Sequence, residues 1–142
     1  DDEMVERIAR HQSQRPDEWT TVEAPCALAE AITDADPEAC VVVDCLSLWV
    51  AHALMTDETL SVESLDLRLD AVVNAAGGRP GPTIVVSNEV GSGIVPDNLL
   101  GRTFRDLLGR TNQRFAAVAD RAVLSVSGRL VELGTPSETL RV

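Results

Sequence analysis

The chain contains no lysine and no tyrosine, and only two Phe and two Trp among its 142 residues. All twelve cations are therefore arginine, set against 23 acids for a net charge of −11. That balance excludes a general nucleic-acid binder, because phosphate contact rewards a basic face. No apolar run approaches the roughly 18–20 residues needed to span a bilayer, so membrane insertion is not expected. The opening residues Asp1, Asp2 and Glu3 are the opposite of the basic start of a secretory signal. The three cysteines, Cys26, Cys40 and Cys45, form no C-x-x-C pair. Their number and spacing fit neither a disulfide framework nor a zinc site. Cys40 and Cys45 read as small buried hydrophobes, and the implied compartment is reducing, hence cytoplasmic.

The charge that is present is uneven. Residues 1–71 carry 17 acids and 4 Arg, whereas residues 72–142 carry 6 acids and 8 Arg. The second half can hold a small anionic ligand, while the first-half acids read individually as a solvated surface. The length is that of one domain, expected over residues 1–142, with a core large enough to need no staple.

Along the chain, Met4, Val5, Ile8 and Ala9 recur at helical spacing until Arg15-Pro16. A short helical stretch is expected over residues 26–32. CVVVD at 40–44 and TIVVS at 83–87 have the β-branched continuity of strands buried on both faces. Helices are expected from Leu46 to Leu54 and from Leu60 to Val73, and a loop over residues 77–82. Asp97 is the expected cap of a long helix to about residue 120, with Leu100, Phe104, Leu107, Leu108, Phe115 and Val118 on its apolar side. Two strands or a hairpin close the chain around Ser127-Gly128-Arg129. Trp19 and Trp49 read as large core or interface anchors. Strands alternating with helices favour an α/β domain on a mostly parallel sheet, whose ligands bind beyond the carboxyl ends of the strands. Asp44 and the pair Asn88-Glu89 stand at two such ends. An acid after three β-branched residues resembles the Walker B arrangement, although a helix-capping Asp has the same local sequence. A Gly-rich phosphate loop with its lysine is absent from these residues.

Four segments together resemble one family: ERIARHQSQRPDEWTTVE at 6–23, VDCLSLWV at 43–50, SNEVGSGIVP at 87–96 and FRDLLGRTNQR at 104–114. They are similar to the bifunctional adenosylcobinamide kinase / adenosylcobinamide-phosphate guanylyltransferase, in the same order. The resemblance implies a P-loop NTPase-like, RecA-like three-layer α/β domain. The family's first strand and its GG-x-x-SGKS phosphate loop have no counterpart in these residues, so the chain is expected to be the family without that N-terminal portion. It also implies phosphorylation of the aminopropanol hydroxyl of adenosylcobinamide, with GTP or ATP as donor. GMP then passes from GTP to adenosylcobinamide phosphate through a covalent guanylyl-histidine.

On the matching positions, the resemblance makes His11 the nucleophile. Gln12, Ser13, Gln14 and Arg15 fall where the guanine nucleotide is contacted. Glu23 and Asp44 fall on acidic nucleotide-site positions, with Asp44 the expected Mg²⁺ ligand. A homo-oligomer, specifically a trimer, is the implied assembly. Chemically, a nucleophilic imidazole must be neutral. Arg10 and Arg15 disfavour its protonation, whereas a helix C-terminus favours it. His52 reads as structural, and the arginines at 102, 105, 110 and 114 reach either phosphates or acidic neighbours. An alternative reading is a non-catalytic binding or assembly module of the same fold, inactive for want of the phosphate loop. A weaker one, a metal-dependent phosphohydrolase using Asp44 and Glu89, would need more ligands than the sequence clusters.

Overall fold

The computed structural model describes residues 2–57 and 60–135, with Asp2, Met4, His11 and Val62 described by backbone alone. Helix α1 (Asp2–Ser13) and helix α2 (Leu28–Asp34) precede strand β1 (Val41–Asp44) and helix α3 (Leu46–Thr56). Helix α4 (Val62–Gly78) leads to strand β2 (Thr83–Val86), a 3-10 turn at Val90–Ser92 and helix α5 (Leu99–Val118). Strands β3 (Ala122–Val126) and β4 (Arg129–Leu133) come last.

The β-branched runs do form strands, and β1 pairs with β2 in parallel, Val41 opposite Thr83 through Asp44 opposite Val86. Their inward residues Val41, Val43 and Val85 pack with Ile32, Leu46, Trp49, Val50, Leu65, Leu69, Leu107 and Leu108. This is the core, and it sits between one face of the parallel pair and helices α2 to α5. The pair is not buried on both faces. Val42, Ile84 and Val86 point the other way and are 39–52% exposed, because the described helices cover one side only. The sheet is also not one mostly parallel sheet: β3 and β4 form a separate antiparallel pair.

Local chemistry sets the element ends. Ser61 caps α4 by accepting from the Ser64 amide, and the Ser64 hydroxyl accepts from the Ser61 amide in return. The helix runs through Gly77 and Gly78, so the loop begins at Arg79, later than the glycines suggest. Arg79 is extended, as a residue before proline must be. Its guanidinium donates to the carbonyls of Ala39 and Asp36, clasping the start of β2 to the turn before β1. Gly81 lies against that turn, where an added Cβ would stand 2.5 Å from the Ala39 carbonyl oxygen. Asn98, and not Asp97, caps α5: its Oδ1 accepts from the Gly101 amide at 2.7 Å. The Asp97 carbonyl instead accepts from Arg102.

Further departures from the sequence expectations are local. Helix α2 starts at Leu28, not residue 26. Leu100 and Val118 are exposed at the ends of α5, beyond the reach of the helices it packs on. Cys40 is exposed and Cys45 half-buried, and all three thiols are free. Trp49 is in the core, but Trp19 sits in an exposed loop. No helix among the described residues is long and apolar enough to cross a membrane.

Candidate functional site

Parallel strands deliver their carboxyl ends to one side, and here that side gathers polar groups from four elements. Asp44, the last residue of β1, is exposed there opposite Val86. The Asp44–Cys45 peptide is cis. Ser47, in the first turn of α3, is buried and accepts from Asn88 Nδ2 at 2.7 Å. The Cys45 thiol lies 3.3 Å from the same hydroxyl. Asn112 reaches across from α5 with both ends of its amide engaged. Its Oδ1 accepts from Ser87 Oγ at 2.6 Å. Its Nδ2 donates to the Asn88 carbonyl at 3.0 Å and to Glu89 Oε1 at 2.9 Å. Arg105, two turns earlier on α5, donates to the Gly91 carbonyl at 2.8 Å. The loop from Ser87 to Gly91 is thus tied to α3 and α5 by side chains, and Glu89 is held at the strand ends.

The histidine segment is built separately. His11 lies in the last turn of α1, where its backbone is helical and its side chain is outside the described set. Gln12, Ser13 and Gln14 are exposed, and Ser13 Oγ donates to the Arg10 carbonyl. Past Pro16 the chain folds back, and Arg15 Nη1 donates to Thr21 Oγ1 at 2.7 Å. Glu23 is exposed on the loop beyond it. None of the described α1 residues joins the core, and Val5 and Ile8 of its apolar stripe face solvent. The strand register and the Ser47, Asn88 and Asn112 hydrogen bonds bring Asp44, Ser47, Asn88, Glu89 and Asn112 to one end of the parallel pair, whereas Gln12, Ser13, Gln14 and Glu23 are exposed on α1 and the segment after it.

The arginine series resolves into neighbours. Arg110 makes a forked pair with Asp66 of α4, and Arg114 pairs with Asp70. The Arg110 hydrogen bond holds the Asp66 carboxyl below its usual range. His52, on α3, places Nε2 3.3 Å from the Cys26 thiol and so links the segment before α2 to α3. Among the described residues, no group of three His, Cys, Asp or Glu is placed to hold a metal ion unaided. An exposed single carboxylate such as Asp44 suits Mg²⁺, which takes one or two protein ligands and fills the rest with phosphate oxygens and water. Asp44 and Asn88-Glu89 stand out in the sequence, whereas Ser47 and Asn112 do not. Asn112 lies inside the 104–114 motif, and its polar amide on the inner side of an otherwise apolar stripe was the available signal.

The comparisons with known proteins converge. Residues 1–133 match a family model described as "Cobinamide kinase / cobinamide phosphate guanyltransferase". The chain is 39% identical over 129 residues to the bifunctional adenosylcobalamin biosynthesis protein CobP of Pseudomonas aeruginosa, covering 90% of this chain and 73% of that protein. It is 37% identical over 139 residues to the bifunctional adenosylcobalamin biosynthesis protein CobU of Salmonella typhimurium, and 36% identical to that of Escherichia coli. In both, the coverage is 90% of this chain and 77% of the relative.

Proposed function

The chain belongs to the cobinamide kinase / cobinamide phosphate guanyltransferase family, and from that premise we propose that it acts in both steps. It phosphorylates adenosylcobinamide with GTP or ATP, then transfers GMP from GTP to adenosylcobinamide phosphate through a guanylyl group carried on His11. In this reading residues 1–142 are one nucleotide-binding domain of the P-loop NTPase-like class, working in the cytoplasm as a homo-oligomer, a trimer.

The His11 imidazole attacks the α-phosphorus of GTP while neutral, forming an N–P bond as pyrophosphate leaves. The phosphate of the corrinoid then displaces histidine from phosphorus, giving adenosylcobinamide-GDP. Gln12, Ser13, Gln14 and Arg15 contact the guanine nucleotide. Arg15 is suited to a phosphate because its planar guanidinium offers two parallel donors. Glu23 accepts hydrogen bonds from ribose or base, since a carboxylate only accepts. Asp44 would hold Mg²⁺, and the ion would supply positive charge against the bound phosphates. The observation that carries this reading is the family match, which runs through every one of these positions.

The test is intact mass after incubation with GTP and Mg²⁺, taken under alkaline conditions where a phosphoramidate survives. We expect the mass gain of one guanylyl group on the wild type and on His52→Ala, and none on His11→Ala. An adduct that persists in His11→Ala removes the histidine from its role. A second reading, a non-catalytic module of the same fold, would rest on the absence of lysine from residues 1–142. Saturable GTP binding with no adduct and no turnover supports that one.

A further inference from the structure

The kinase half of the proposed reaction has an alcohol as acceptor, and an alcohol must lose its proton as it attacks phosphorus. None of the residues assigned so far is placed to take that proton: Asp44 is committed to the metal, and His11 to the second step. Taking the proposed function as its basis, we infer that Glu89 is the base that receives the acceptor's hydroxyl proton, and that Asn112 is the positioning residue that aims it.

Three observations carry this. Glu89 stands three residues past Val86, the register partner of Asp44, so both carboxylates are delivered to the same end of the parallel pair. In such sheets that end is where ligands sit. Second, Glu89 is exposed, yet it is not left to wander. Asn112 Nδ2 binds its Oε1, while the same amide binds the Asn88 carbonyl and the Ser87 hydroxyl. Asn88 is anchored in turn to the buried Ser47, and Gly91 to Arg105. Three side chains on two elements, Ser47 of α3 and Arg105 and Asn112 of α5, thus fix a loop on which Glu89 itself is exposed. Third, the amide grips only one carboxylate oxygen, which leaves Oε2 to a ligand. A neutral donor on Oε1 orients the group without pairing its charge, as an arginine would.

In the transfer, the acceptor's O–H bond breaks and its proton passes to Glu89 Oε2. The freed lone pair forms the bond to the γ-phosphorus of the donor. The bond between that phosphorus and the β-phosphate oxygen breaks, and the nucleoside diphosphate leaves with the electron pair. In the guanylyl-transfer step the acceptor is a phosphate that is already ionised, so Glu89 has no part in it. That asymmetry supplies the test.

Both half-reactions are measured on the full chain and its Glu89→Gln variant: phosphorylation of adenosylcobinamide, and formation of the guanylyl adduct with GTP alone. We expect Glu89→Gln to lower kcat for phosphorylation by roughly 100-fold or more, with KM for the corrinoid within about threefold. The rate of adduct formation should stay within about twofold of the wild type. Asn112→Asp keeps the acceptor for Ser87 but replaces the donor to Glu89 by an oxygen. It should lower the same kcat by about tenfold, again without changing adduct formation. Equal losses in both half-reactions would make the pair structural and overturn the inference, as would a Glu89→Gln enzyme with wild-type kcat. A wild-type chain that forms the adduct but never phosphorylates the corrinoid overturns it too, while leaving the guanylyl-transfer reading in place. Failure of both half-reactions in the wild type is the distinct result that removes the proposed function itself.

Discussion

The parallel pair β1–β2 and the hairpin β3–β4 are spelled in nearly the same alphabet. One reads VVVD and TIVV, the other AVLSV and RLVEL. Val43 is nevertheless 7% exposed and packed in the core, whereas every residue of β4 is exposed, Leu130 at 71%. The difference lies in the connection that leaves each strand. β1 passes through one residue into α3, which turns Leu46, Trp49 and Val50 back onto Val43. β3 passes into a two-residue turn, Ser127-Gly128, with φ of 51° and 73°, a geometry that matches the strand twist. It closes on itself and brings no helix. Strand composition proposes a strand; the connection decides whether a core forms on it.

The sharpest way to break that comparison is to cut one leucine from each region. Leu69 is fully buried in the core that covers the parallel pair, and Leu69→Ala should cost about 3–4 kcal/mol in urea unfolding. Leu130→Ala should change stability by less than about 0.5 kcal/mol. Comparable losses would mean that the hairpin is covered in solution.

A second pair uses the two glycines that each region needs for different reasons. Gly81 is required for space, since any Cβ there meets backbone oxygens at 2.5 and 2.7 Å. Gly81→Ala should cost about 2–3 kcal/mol and loosen the start of the parallel pair. Gly128 is required for its φ, with open space around it. Gly128→Ala should cost about 1 kcal/mol, seen as faster hydrogen exchange in β3 and β4 with α3 to α5 unchanged.

The smallest effect is acidic. Asp66 beside Arg110, and Glu132 beside Arg121, have carboxyls held below their usual values by those hydrogen bonds. A depressed folded pKa stabilises above the unfolded value, about 4, and that contribution is lost as pH falls through the folded one. Asp66→Asn should therefore melt slightly below the wild type at pH 6, and the gap should narrow progressively as pH falls below about 4. The pairs are exposed, so the difference is small, and added salt should shrink it further.

Much of the fold was legible because its signals are local. β-branched runs bounded by an acid or a glycine loop marked both parallel strands, and the apolar spacing of Leu65, Leu69 and Val72 marked α4. What was not legible depends on where distant parts meet. Val42 and Val43 are chemically identical, so no pattern in VVVD says which face helices will cover. Asp97 and Asn98 are both good caps, and the choice rests on which side chain faces the Gly101 amide. For the site, the strand-end residues Asp44 and Glu89 stood out by their position after apolar runs. Asn112 did not, because its partners Ser87, Asn88 and Glu89 lie 23–25 residues away. The His11 segment was found by likeness alone, since an exposed helix carrying one histidine has no local feature that marks it.

Helix α5 is fastened along two of its sides. Arg105 and Asn112 grip the loop after β2, while Arg110 and Arg114 grip α4. In mechanical terms it is a beam of 20 residues bolted to a second beam of 17. The loop bearing Glu89 inherits the stiffness of both. A molecule arriving at the strand ends would press against a braced wall on this side, so any accommodation of its shape must be supplied from elsewhere in the chain.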